Sequence, residues 1–165
     1  MLFRSTNGKT TVHWLLYHAL ERLECPGIRI GSLGIAAHGA VERSGKVSIR
    51  GSGDIVMTTP AAEEIHTSLQ QALDAGIKSC VLETSSHALA QHRVSDVWYD
   101  VAVFTNLSPD HLNYHEDMEQ YFQAKVDLFR QLAGMRAEDA SAGGAVINCD
   151  CPWGRRLEGI SSDLH

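Results

Sequence analysis

No apolar run in this 165-residue chain approaches the roughly 20 residues needed to span a bilayer, which argues against a membrane-spanning helix. The start, Met1-Leu2-Phe3-Arg4, has none of the features of a signal peptide. Positive charge is scarce: 14 Lys and Arg stand against 20 Asp and Glu, a formal net charge of −6. Phosphate backbones select basic surfaces, so nucleic acid is excluded as the main partner. Cysteine is thinly used. Cys25, Cys80, Cys149 and Cys151 contain no Cys-x-x-Cys, and Cys149-x-Cys151 is too little for a zinc site. They read as reduced thiols of a cytoplasmic protein. What remains, 44% hydrophobic and 21% charged residues, is the composition of an ordinary globular domain, long enough for one α/β core.

One stretch carries a chemical signature. Thr6-Asn7-Gly8-Lys9-Thr10-Thr11 runs straight into an amphipathic segment. Glycine lets the backbone curl close to phosphate oxygens, and the N–H groups of the turn and helix start point at the anion. Lys9 can reach terminal phosphates and the Thr10 hydroxyl can hold Mg²⁺. The full phosphate-loop pattern wants another glycine five positions earlier, where this chain has Phe3. On the motif alone, a phosphate loop and an ordinary turn before a helix are equally good readings.

The spacing of Val12, Leu15, Leu16, Ala19, Leu20 and Leu23 predicts a helix with that apolar stripe, ended by Cys25-Pro26-Gly27. Ile28 to Leu33 reads as one strand closed by Gly34, and His38 to Ser52 as a hairpin turning at Ser44-Gly45. Thr59 is the expected N-cap of a helix with Pro60 at its first position, running to Gly76. Ile77 to Glu83 is a buried strand ending on a carboxylate, followed by a helical segment to Gln91. Val101 to Phe104 is a second buried strand, leading through Thr105-Asn106 into a polar loop with Asp110, His111 and His115. A helix from about Asp117 to Ala133 and a strand from Ala145 to Asn148 complete the reading. Alternating strands and helices indicate an α/β fold, a mostly parallel sheet flanked by helices on both faces. Ligands in such sheets sit beyond the carboxyl ends of the strands. Those ends offer Glu83, Thr105-Asn106, Asn148 and Asp150 beside the Gly8-Lys9-Thr10 loop, which favours the phosphate-binding reading.

Two of these residues invite chemistry. Lys125 shares a helix face with Met118, Tyr121, Phe122, Phe129 and Leu132. A lysine there either snorkels past the core or is held for function, because a desolvated amine is driven toward its neutral, nucleophilic form. Such an amine can capture CO₂ as a carbamate. Glu83, at the end of a buried strand, is a candidate Mg²⁺ ligand or a solvated edge carboxylate. His111 and His115 do not make a zinc-protease motif, and Ser85-Ser86-His87 lacks the elbow of a serine nucleophile.

Four stretches in this order resemble the central, ATP-binding domain of the Mur ligases. They are Thr6 to Thr11, Glu83-Thr84-Ser85-Ser86-His87 through Gln91-His92-Arg93-Val94, Phe104 to Leu112, and Ala124-Lys125-Val126-Asp127-Leu128-Phe129. Within the family the likeness is strongest to the branch that adds a third amino acid, diaminopimelate or lysine, to UDP-N-acetylmuramoyl-dipeptide (UDP-MurNAc-dipeptide). The resemblance implies ATP and Mg²⁺ as cofactors and an acyl phosphate as intermediate in amide-bond formation for peptidoglycan. It implies that Thr6, Asn7, Gly8, Lys9, Thr10, Thr11 and Asn106 hold the nucleotide. Thr10, Glu83 and His111 would hold metal, Lys125 and Lys9 would be catalytic, and Lys125 would be carbamylated. Thr58, Thr59, Ser85, Gln91 and Arg93 would hold the UDP-linked dipeptide. The chain departs from the family pattern at Ser5, Met57 and Asn113. The resemblance assigns residues 1–157 to the central domain and 158–165 to a truncated C-terminal remainder, with N- and C-terminal domains expected elsewhere in a longer cytoplasmic protein. A nucleotide-binding fragment without turnover, and a folylpolyglutamate synthase-like ligase domain, are the competing expectations.

Overall fold

The computed structural model describes residues 2–4, 7–38, 57–109, 114–138 and 144–162. In chain order the elements are β1 (Leu2–Arg4), α1 (Lys9–Arg22), β2 (Gly27–Gly31), β3 (Gly34–Ala37), α2 (Ala62–Asp74) and β4 (Ser79–Glu83). There follow α3 (Ser86–Ala90), β5 (Ala102–Phe104), α4 (Met118–Glu138), β6 (Ala145–Ile147) and α5 (Pro152–Ser162). The strands form one sheet in the order β3-β2-β4-β1-β5-β6. Every neighbouring pair is parallel except β2 and β3.

Alternation along the buried strands splits the core between the two faces. Val81 and Val103 pack with Tyr17, Val12, Leu16 and Leu20 under α1. Their neighbours Leu82, Ala102 and Phe104 join Ile28 and Ile30 on the other face, beneath α2, α4 and α5. The central position of β1 matters for function. It pairs with β4 through Phe3↔Glu83 and with β5 through Arg4↔Phe104, so the segment after β1 emerges between the ends of both neighbours.

Several expectations are corrected. The strand expected over Ile28 to Leu33 is present and ends at Gly31; Gly34, with φ +82°, turns the chain back and opens a second, antiparallel strand that was not expected, with Gly31 opposite Gly34. The docked face of α1 is shifted from the expected stripe: Val12, Leu16 and Leu20 pack inward as expected, but Leu15, Ala19 and Leu23 do not. His13 and Tyr17 are buried, while Leu15 is 56% and Leu23 is 75% exposed. Apolar residues surround this helix on most sides, so periodicity alone did not single out the docked face. It also closes before Pro26, by the left-handed Glu24 and a Cys25 N–H bond to the Leu20 carbonyl. Thr59 is not the cap of α2. The helix starts at Ala62 after an extended Ala61, with no side-chain cap, since the Thr59 hydroxyl is occupied elsewhere. The helix α4 continues past Ala133 to Glu138, and α5 covers a stretch for which no element was expected. Leu157 of α5 is fully buried, and Arg156 lies over the Phe122 and Trp153 rings. The hairpin expected over His38 to Ser52 falls, apart from His38, outside the described residues. All four cysteines are free thiols.

Two buried histidines fasten α1 to the sheet. A His13 ring nitrogen meets the Val81 carbonyl at 2.9 Å. His38 accepts from the Gly27 N–H at 2.7 Å, so its other nitrogen donates to the Tyr17 carbonyl at 2.8 Å, and the ring stacks on Tyr17. Burial lowers both pKa values below the ordinary 6.5, against the raising influence of these carbonyl contacts and of Glu83 and Glu21. Below 6.5 the unfolded chain therefore binds more protons than the folded one, and stability falls as pH drops through that window toward the lowered values. Unfolding free energies from urea titrations, measured from neutral to mildly acidic pH, should decline by up to ~1.4 kcal/mol per pH unit for each histidine. His13→Gln should make the slope shallower; an unchanged slope would contradict neutral burial of this ring.

Candidate functional site

The turn before α1 is built for an anion. Gly8 takes a left-handed backbone, φ +82°, and opens the helix, with its carbonyl already accepting from the Val12 N–H at 2.9 Å. A Cβ at Gly8 would meet nothing within 4 Å, so the space above the turn is open. Asn106, just past β5, holds the turn from below. Its Oδ1 accepts from the Asn7 N–H at 3.0 Å and its Nδ2 donates to the Asn7 carbonyl at 3.0 Å. The Thr105 hydroxyl donates to the same carbonyl at 3.2 Å, and Asn7 Nδ2 donates to Ser108 at 3.2 Å. Asn148, after β6, donates to the Thr105 carbonyl at 2.8 Å. The ends of β1, β5 and β6 thus share one polar network, as the sequence pattern predicted. Thr11 lies exposed in the first turn of α1.

Glu83 closes β4 and is 1% exposed. A buried carboxylate must be partnered, because stripping its water is costly. Thr10 Oγ1 donates to Oε1 at 3.0 Å, and the Ser32 N–H donates to Oε2 at 3.0 Å. The chain passes close above at Gly31, where a Cβ would stand 2.8 Å from Glu83 Cβ and 2.9 Å from His13 Cε1. Only glycine fits there. A threonine hydroxyl touching a carboxylate oxygen, both beside a phosphate turn, is a hard-oxygen donor set of the kind Mg²⁺ takes together with phosphate oxygens and water. The residues present therefore fit the cation.

A cavity of about 230 Å³ lies beside this pair. Lys9, Thr58, Ser85, Ser86, Arg93 and Lys125 contribute to its walls, with Met57, His87 and Tyr121 completing them. Lys125 is 1% exposed, and its Nζ sits 4.7 Å from the Tyr121 ring centroid, so the amine does not snorkel to bulk water. The floor is tied together by Thr59. Its hydroxyl donates to the Glu83 carbonyl at 3.0 Å and accepts from the Ser85 N–H at 2.9 Å. Ser85 Oγ caps α3 by accepting from the Ala88 N–H at 3.2 Å. Arg93 donates to the Thr59 carbonyl at 2.8 Å and is paired with Gln91, which lies exposed.

The expected residues thus gather around one edge of the sheet: Asn7, Gly8, Lys9, Thr10, Asn106, Glu83, Thr58, Thr59, Ser85, Arg93 and Lys125. Thr6 and His111 lie outside the described residues. His115 is buried and stacks on Tyr121, which backs Lys125. Sequence reasoning missed Ser32, whose contribution is a backbone N–H and leaves no side-chain signal. It also missed the demand for Gly31, for which Gly31-x-x-Gly34 was the available clue.

Residues 6–164 match the Mur ligase middle domain family. A UDP-N-acetylmuramoyl-L-alanyl-D-glutamate–2,6-diaminopimelate ligase of Xanthomonas campestris pv. campestris (strain 8004) is 45% identical over 152 residues, covering 92% of this chain and 27% of that protein. The protein of the same description from Gloeobacter violaceus is 43% identical over the same shares. A solved structure of a UDP-N-acetylmuramoyl-L-alanyl-D-glutamate–2,6-diaminopimelate ligase superposes with a TM-score of 0.78 at 27% identity, over 98% of this chain and 29% of that one. The chain spans 27% of the length of the curated relatives it matches.

Thr59 is fully buried. Thr59→Val keeps its shape but removes the donor to Glu83 and the acceptor for Ser85. The expected cost is about 1–3 kcal/mol in urea unfolding. A cost under about 0.5 kcal/mol would contradict the fastening role.

Proposed function

The chain belongs to the Mur ligase family as its middle domain, and from that we propose that it is the ATP-handling part of an amide-forming ligase of peptidoglycan synthesis. The reaction we propose for the whole protein is addition of the third amino acid to a UDP-MurNAc-dipeptide. The dipeptide carboxylate takes the terminal phosphoryl group of ATP, giving an acyl phosphate and ADP. The incoming amine then attacks the acyl carbon, and phosphate leaves as the amide forms. Relatives named for diaminopimelate favour that amino acid over lysine. The observation that carries the reading is the cavity that sets Lys9 of the phosphate turn and buried Lys125 of α4 around one space with Thr58, Ser85 and Arg93.

Each residue has a proposed task. The turn over Asn7 to Thr11, steadied by Asn106, cradles the ATP phosphates, and Lys9 neutralises charge on the group being transferred. Mg²⁺, held by Thr10, Glu83 and His111, would supply further neutralisation of the phosphate oxygens. Thr58, Thr59, Ser85, Gln91 and Arg93 hold the UDP-linked dipeptide. Lys125 is proposed to carry a carbamate. Its neutral amine adds to CO₂, an N–C bond forms, a C=O pair shifts to oxygen and one proton is released. Lys125, 1% exposed on the cavity wall, is screened from bulk water where this addition would occur. Phosphoryl transfer is governed chiefly by positioning and electrostatics, and a cavity edged by Lys9 and Arg93 serves both. Among the described residues, no helix is long and apolar enough to cross a membrane, and four free thiols fit a reducing cytoplasm.

Turnover is proposed for the whole protein, with the family's flanking domains in place, and nucleotide binding for this chain. Calorimetric titration of the chain with Mg-ATP should give saturable heat at millimolar nucleotide or below, and Lys9→Ala should abolish it. Absence of heat in the unsubstituted chain would overturn the phosphate-turn reading. In a full-length ligase carrying this domain, Lys125→Ala should lower turnover about 100-fold or more with an unchanged circular dichroism spectrum. Near-normal turnover would remove Lys125 from the mechanism.

A further inference from the structure

The cavity beside Lys125 has a pronounced charge character. Its described walls carry two cationic side chains, Lys9 and Arg93, beside the buried Lys125, and no carboxylate. Such a space selects an anion. One more polar group on its wall has no assigned work. Ser86 is 2% exposed, and its hydroxyl oxygen has no hydrogen-bond partner. Its neighbours differ in this respect. Ser85 Oγ is engaged by the Ala88 N–H and by Thr59 Oγ1, and Thr59 Oγ1 by Glu83 and Ser85. Thr84 Oγ1 is also buried without a partner, but Thr84 does not line the cavity. The combination of an unsatisfied buried donor and a cationic space is confined to Ser86 among the described residues.

A buried hydroxyl without a partner weakens the fold, because it gave up water for nothing. An oxyanion entering the cavity supplies the missing acceptor. We propose that the Ser86 hydroxyl donates a hydrogen bond to an oxyanion seated between Lys9 and Arg93, and so positions that anion. The donor assignment rests on the cavity. The identity of the anion, a carboxylate or phosphate group of the ligand, deepens the ligase reading and rests on it. Ser86 is then a positioning residue that costs the empty protein stability and repays it on binding.

The two halves of that statement move in opposite directions on substitution, which a merely structural serine would not do. In the chain as it stands, Ser86→Ala should melt at the same temperature as the unsubstituted protein or higher. Its affinity for the anion should fall about tenfold, the usual worth of a hydrogen bond to a charged group. Ser86→Cys, a weak donor of similar size, should follow alanine. The probes are inorganic phosphate in one arm and the dipeptide L-alanyl-D-glutamate in the other, titrated by NMR. Weakening in either arm supports the proposal and tells phosphate from carboxylate. Equal affinity of serine and alanine forms in both arms, no binding of either probe to the unsubstituted chain, or a lower melting temperature for Ser86→Ala would overturn it. A silent Mg-ATP titration alongside a Ser86 effect would sink the ligase reading and leave this anion site standing.

Discussion

The Glu83 carboxylate is the point on which this structure turns. It is almost wholly buried at the end of a central parallel strand, and two segments distant in sequence satisfy it: the Thr10 hydroxyl from the phosphate turn and the Ser32 N–H from the β2–β3 hairpin. A buried carboxylate that lost either contact would be left with uncompensated charge. The backbone around it is shaped accordingly. Gly31 must lack a side chain to pass above it, and Thr59 holds its carbonyl oxygen while steering Ser85 into place. One acidic group therefore sets the relative positions of α1, the hairpin and the loop that follows β4.

That arrangement divides the molecule along the strand direction. At the carboxyl ends of β1, β4, β5 and β6 the chain gathers side chains whose hydrogen bonds are mostly to backbone atoms, so the polar rim is stiff. At the opposite ends a larger, more apolar depression of about 730 Å³ is lined by Leu73, Ile77, Trp98 and Val101 together with His66, Lys78 and Asp96. A nucleotide-handling protein needs the first kind of surface, because phosphoryl transfer tolerates little misplacement of the charged partners. Lys125 extends the rim inward. Held over Tyr121, it brings a nitrogen to the cavity from the helical layer and not from the sheet.

The sequence made much of this legible, for identifiable reasons. Short apolar runs ending on Glu83 and Thr105-Asn106 predicted buried strands and the edge where they converge. A three- and four-residue spacing placed Lys125 among aromatic residues on α4, and its burial agrees with that placement. Other features depend on information that no local pattern carries. The face of α1 that docks could be read only in part from a helix apolar on most sides, and its buried residues include a histidine. The Thr59-Pro60 pair has the chemistry of a helix start, but a tertiary demand from Glu83 and Ser85 took the hydroxyl. The Ser32 contribution is a backbone N–H, invisible to any reading of side chains. The last helix is interrupted by Gly154 and Gly159, which weaken its local signal, and is held by Leu157 reaching the core.

The most direct measurement of where phosphate and cation bind uses Mn²⁺ in place of Mg²⁺. Titrating Mn-ATP into isotopically labelled protein broadens NMR signals by proximity to the metal. The account predicts that Gly8 to Thr11, Ser32 and Glu83 to Ser85 broaden first, with Leu73 and Trp98 at the opposite end of the sheet left sharp. Broadening that begins around Leu73 and Trp98, or that spreads evenly over the surface, would contradict the account at its centre.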